Sequence, residues 1–247
     1  ARGIAVPPTY TYSATPNSHQ QIILFQATKK AQHNLLETIV NLRINSETRV
    51  IDIVETYPSV MAQLRGMVQA AAEVEHRRQY QYDGAVEVWS QMNLNGGFSQ
   101  LILPPEIRHI ESIKQVTASP NSSRIQSRPR SSQVFSGLIV DARAMRAVPV
   151  LAPRILDENL EEVFGPTYAS REFAVQHGVA RYTADIWKAK FDTRVSDNPL
   201  IAKALKVLWP GRCDFIISNA DAAKLKSASE HLKFLKECRV IIVLDPM

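Results

Sequence analysis

"SNADAAKLKSASEHLKFLKECRVIIVLD", residues 218–245, holds a helix start, an amphipathic helix and a buried strand in succession. Ser218 or Asn219 is placed to cap the helix, because a short polar side chain accepts from N–H groups left open in the first turn. Ala222, Leu225, Ala228 (or Ser229), Leu232 and Leu235 recur at helical spacing and predict one inward face. The apolar residues of "CRVIIVL", residues 238–244, do not alternate. A strand with one wet face alternates, so this run predicts a strand covered on both faces at the centre of a sheet.

Further out, "SGLIVDARAM" (136–145) predicts a strand, and "PVLAPRILDENLEEVFG" (149–165) predicts a hairpin turning at Asp157-Glu158-Asn159. "TYASREFAVQHG" (167–178) predicts a short helix stopped by Gly178, a residue that takes the left-handed conformation without a Cβ clash. "AKALKVLW" (202–209) and "RCDFIIS" (212–218) predict a second hairpin across Pro210-Gly211.

In the first half, Ser18 is placed as an N-cap with Gln21 at the capping-box position. Ile23, Ala27, Ala31, Leu35, Thr38 and Leu42 then predict one helix face. "LRINSETRVIDIV" (42–54) reads as a strand, its second half alternatively as a short helix. "YPSVMAQLRGMVQAA" (57–71) predicts a helix after Pro58 with Val60, Leu64 and Val68 inward. "AEVEHRRQYQYDGAVEVWSQMNL" (72–94) has two alternating runs joined at Asp83-Gly84, which predicts a β-hairpin with a type I′ turn and Tyr80 opposite Val86.

Residues 117–133, "TASPNSSRIQSRPRSSQ", hold six Ser, two Pro and three Arg (Arg124, Arg128, Arg130), a composition too polar to fold alone. They read as a linker between two α+β modules, 18–116 and 134–247, the second a mixed sheet covered by helices. Residues 1–17 read as an extended, Pro-rich arm. Its apolar members Ile4, Val6, Tyr10 and Tyr12 are candidates for contact with a neighbouring subunit.

A net charge of +5 is too small to single out nucleic acid as a partner. No apolar run approaches the roughly 20 residues of a membrane helix. A chain that begins at Ala1 without a basic, apolar leader is expected to be a mature form, periplasmic, outer-membrane-associated or extracellular. Cys213 and Cys238, the two cysteines, are a candidate disulfide or two buried thiols.

The six histidines are scattered, and HExxH, GxSxG, GxGxxG and the P-loop pattern are all missing. Asp141 and Asp157 could serve a metal-dependent hydrolase, but the acids around Asp157 suit a hairpin rim better. Neither a cofactor nor a resident metal is expected, and the chain is expected not to be an enzyme.

Two stretches carry a resemblance. In residues 20–95 the Ala27/Ala31 helix, "LLETI…INSETRV", the step from Gly66 to Ala70 and the Y-x-x-DG-x-VEV hairpin at Tyr80–Val88 are similar to the lipoprotein-20 family of bacterial outer-membrane-associated proteins. That family includes the FlgP-like basal-disk proteins of the flagellar outer-membrane assembly. Residues 136–165 with "FLKECRVIIVLD" look like the C-terminal part of longer two-module relatives. The resemblance implies a strand–helix–strand–strand module that assembles into rings, and it brings no catalytic residues. No lipid-bearing Cys stands at the start, where the family has one. The expectation is a structural homo-oligomer forming a ring, disk or filament at the Gram-negative envelope, with other envelope or flagellar proteins as further partners. The alternative is a monomeric periplasmic glycan- or peptidoglycan-binding module that uses Trp89, Trp187 or Trp209.

Overall fold

The computed structural model describes residues 1–6, 16–107 and 134–246. The fold is α+β, divided into a unit of residues 1–42 and 48–102 and a unit of residues 43–47 and 103–246. The proposed linker 117–133, Arg124, Arg128 and Arg130 with it, lies outside the described residues, as do Tyr10 and Tyr12.

The first unit contains β1 (Arg2–Ala5), α1 (Pro16–Val40), α2 (Val50–Thr56), α3 (Pro58–Gln69), β2 (Ala72–Glu73), β3 (Gln79–Tyr80), β4 (Val86–Gln91) and α4 (Gly97–Ile102). β4 is the hub, antiparallel to β1 on one side and to β2 and β3 on the other. α1 lies across β1 and β4 on a buried stripe of Ile23, Ala27, Ala31, Leu35 and Ile39. The stripe keeps i+4 steps to its end, so Ile39 is inward where Thr38 was expected. Thr38 instead faces solvent and its hydroxyl donates to the Asn34 carbonyl.

α1 also starts two residues before the expected cap, with Pro16 in its first turn, where a missing N–H costs nothing. Ala27 and Ala31 let the helix backbone rest on Gly3, where any Cβ would overlap both alanines' backbones. Residues 50–56 are helical although four of the first five are Val or Ile. The Asp52 carboxylate accepts from Arg49 N–H at 2.6 Å and fixes the helix start. α3 buries Val60, Leu64 and Val68, the face its spacing predicts.

Tyr80 pairs with Val86, as the hairpin reading requires. The turn differs from type I′. Gly84 N–H donates to the Gln81 carbonyl, so Tyr82 and Asp83 are the central residues, and Gly84 alone of the Asp83-Gly84 pair has a positive φ, +80°. The Asp83 carboxylate instead accepts from Ala85 N–H. The first run is also broken: a 3₁₀ turn at Glu75–Arg77 separates β2 from β3.

The second unit contains β5 (Gly137–Asp141), β6 (Arg154–Leu156), β7 (Glu162–Phe164), α5 (Arg171–His177), β8 (Arg181–Thr183), α6 (Ile186–Lys190), β9 (Pro199–Lys203), β10 (Lys206–Val207), β11 (Asp214–Ile216), α7 (Asn219–Lys226), α8 (Ser229–Lys236) and β12 (Val240–Val243). It has two four-stranded sheets rather than one. The first, in the order β8-β12-β5-β9, is parallel throughout; the second, β10-β11-β6-β7, is mixed.

β12 is central and buried along its whole length, as its uniform apolar run requires. Ile139, Ile241 and Val243 pack under Ile186, Ala189 and Val195 on one face. Leu138, Val140, Val240 and Ile242 are fully buried as well.

The segment before β12 is two helices instead of one. Ser218 caps α7, its hydroxyl accepting from Asp221 N–H, and the chain leaves the helix at Ser227-Ala228. The break resets the inward face: His231, Phe234 and Leu235 are buried, while Leu232 is exposed. His231 holds the break together. One ring nitrogen bonds the Lys224 carbonyl at 2.9 Å and the other accepts from Phe135 N–H at 2.9 Å, so the ring is a satisfied core group.

Candidate functional site

Of the residues proposed for subunit contact, Ile4 belongs to β1 and is paired with Glu87 of its own sheet. Residues 2–5 are therefore a strand of the first unit, not a free arm; Gly3 and the small α1 face supply the partner that the sequence did not reveal. Val6 follows the strand and is exposed. The outer face of this sheet is polar. Arg2 bonds Glu87 at 2.6 Å, the Trp89 ring N–H donates to the same carboxylate at 2.8 Å, and Arg77 lies over the Trp89 ring.

Cys213 and Cys238 are free thiols, both buried, and burial pushes each up to about 12. Cys213 precedes β11 in the mixed sheet and Cys238 precedes β12 in the parallel sheet, so no disulfide joins them. Such thiols are inert packing groups. Cys238 serves geometry: at φ +57° it terminates α8, with Arg239 N–H donating to the Phe234 carbonyl and Cys238 N–H to that of Leu235.

Asp141 and Asp157 lie in different sheets. Asp141 ends β5 and is held by both arms of the Arg143 guanidinium, which keeps its carboxyl below the usual range. Asp157 closes the β6–β7 turn by accepting from Asn159 and Glu161 N–H groups. Asp245, at the same end of the parallel sheet as Asp141, accepts from Ala144 and Arg146 N–H, and Asp185 caps α6. Each carboxylate is thus engaged by groups of the loops around it, Asp141 and Asp245 by the same loop, residues 143–146. Among the described residues, no three His, Cys, Asp or Glu side chains are arranged to hold a metal ion.

At the opposite end of the parallel sheet, Phe173, His177, Arg181, Arg194, Glu237 and Arg239 border a cavity of about 300 Å³. Its arginines are also engaged. Arg194 donates to the carbonyls of His177, Gly178 and Cys238, placing a cation at the negative ends of α5 and α8. Arg181 pairs with Asp192 and Arg239 with Glu237. In the mixed sheet Arg154 bonds the buried Asp214 at 2.6 Å, leaving one Asp214 oxygen without a partner.

A group of uncommitted side chains lies on the flank where β9 passes into β10. β9 is an edge of the parallel sheet and β10 an edge of the mixed one, so each pairs on one side only among the described residues. Along this flank Leu200, Ala202, Ala204 and Val207 turn inward, while Ile201, Leu205 and Trp209 are exposed, Trp209 by 78%. Lys203 and Lys206 stand between them with no ion pair among the described residues; neither has Arg212, whose guanidinium lies 5.6 Å from the Trp209 ring centroid. Gly211 seats the loop closely on Ser46, so the Trp209 turn is anchored. Sequence reading named Trp209 of this surface and missed the rest. Its signal was Lys203 falling in phase with Ile201 and Leu205, the period-2 mark of an outward set. Trp187, another of the three proposed rings, is exposed on α6 beside Lys190, and neither it nor Trp209 lines the cavity above.

Residues 137–246 are similar to the family described as the second domain of Treponema pallidum Tp0624. No curated protein matches the chain. Among the described residues no helix is long and apolar enough to cross a membrane.

Proposed function

We propose that this chain is a non-enzymatic structural protein that self-associates into a ring, disk or filament at a Gram-negative cell envelope, in association with the flagellum. The observation that carries the reading is the β9–β10 flank: three exposed large apolar side chains set along two adjoining open sheet edges. Open edges with apolar side chains are templates for pairing with another chain, and contacts between copies close into rings or run on as filaments according to their rotation. The lipoprotein-20 resemblance of residues 20–95 points the same way, and the likeness of residues 137–246 to the second domain of a Treponema pallidum protein suits a module used within larger chains. Sedimentation velocity over a hundredfold concentration range, with negative-stain microscopy at the upper end, tests it. Growth of closed or linear particles is expected; a particle that stays single throughout ends the proposal.

The exposure of Trp187 and Trp209 favours a second reading, a glycan-binding module. Titration with soluble peptidoglycan fragments, followed by tryptophan fluorescence, should then give a saturable change that Trp209→Ala abolishes.

A further inference from the structure

The second unit carries a surface complementary to the β9–β10 flank. β10 is one edge of the mixed sheet and β7 is the other, so the β6–β7 turn lies across the sheet from the flank. That turn, residues 157–161, presents Leu160, 59% exposed, among Glu158, Glu161 and the neighbouring Glu162. The turn is rigid. Leu160 N–H donates to the Asp157 carbonyl, Asp157 N–H to the Glu161 carbonyl, and the Asp157 carboxylate takes two further N–H groups. Glu158 accepts from Asn219 N–H and Glu161 stands 3.5 Å from Lys226, which tie the turn to α7. Leu160 has a φ of +66°, a conformation that Gly or Asn adopts at less cost.

We propose that the Leu160 turn of one copy docks on the β9–β10 flank of the next, in a head-to-tail contact. The deciding feature is complementarity of charge and surface type. The turn offers an apolar knob ringed by carboxylates; the flank offers Leu205 and Trp209 between the cations Lys203, Lys206 and Arg212. The two surfaces are different patches, so the contact is heterologous and each copy keeps one unused face of each kind. This names the interface of the self-association proposed above and rests on it.

The test uses two full-length variants, Trp209→Glu and Leu160→Glu, each changing an exposed residue and each checked for an unaltered melting curve. Each alone should associate at least tenfold more weakly than the parent chain in sedimentation velocity. An equimolar mixture should form a dimer and nothing larger, because only one intact pair of faces remains. Leu160→Gly, which suits the positive φ, should melt no lower than the parent and still associate weakly, separating loss of contact from loss of fold. Variants that assemble like the parent, or a mixture that stays monomeric, overturn this interface while self-association stands. A parent chain that never associates overturns both.

Discussion

The two units bury their cores in different ways. In the first, a 25-residue helix lies on β1 and β4 through Gly3, Ala27 and Ala31, so backbone meets backbone and little side-chain volume separates them. In the second, bulky side chains fill the interior: Phe164, Phe215, Ile139 and Ile155 are completely buried between sheets and helices. A core of close backbone contact tolerates no added atoms, whereas a core of large side chains is weakened chiefly by removing them.

The largest effect should come from deletion in the second unit. Phe215→Ala, at a site with no solvent exposure beside the central β6 pairing, should cost about 4 kcal/mol in urea unfolding. A cost under 1 kcal/mol would mean that this core is loosely packed. Next comes an insertion in the first unit. Gly3→Val places two branches where one Cβ already overlaps α1, and should cost about 3 kcal/mol or detach β1, read as lost amide protection across β4. Tolerance of the valine would show that α1 stands off the strand.

The smallest effect should be electrostatic. The Arg143 hydrogen bonds lower the Asp141 pKa, so their stabilisation is present above the ordinary carboxylate range near pH 4 and is lost as pH falls through the depressed folded value. Arg143 is nearly half exposed, so solvent screening keeps the contribution small. Arg143→Ala should lower stability slightly at neutral pH and leave it unchanged in strong acid, so that this share of the acid sensitivity disappears. A steeper acid loss in the variant would reverse the assignment.

Much of the fold was legible because it is written in short-range patterns. The uniform run 240–244, the i+4 stripe from Ile23 to Leu35, Val60/Leu64/Val68 and the Asp157–Glu161 turn each state their own environment. The candidate site was far less legible. Trp209 was named only as a lone ring, and Ile201 and Leu205 are of types common in cores; only strand order makes β9 and β10 edges with an outward side.

By itself, then, the sequence determined the inward faces of Ile23–Leu35 and Val60–Val68, the Tyr80–Val86 pairing, the centrality of β12 and the lack of an apolar helix of membrane length among the described residues. The tertiary structure alone decided the rest: that residues 2–5 are a sheet strand, that the last helix breaks at Ser227-Ala228, that the cysteines stay apart, and that one flank is left uncovered. The physical reason is range. Helical and strand periodicity depend on neighbours a few residues away, whereas pairing, burial and open edges depend on partners distant in the chain, which no local pattern specifies.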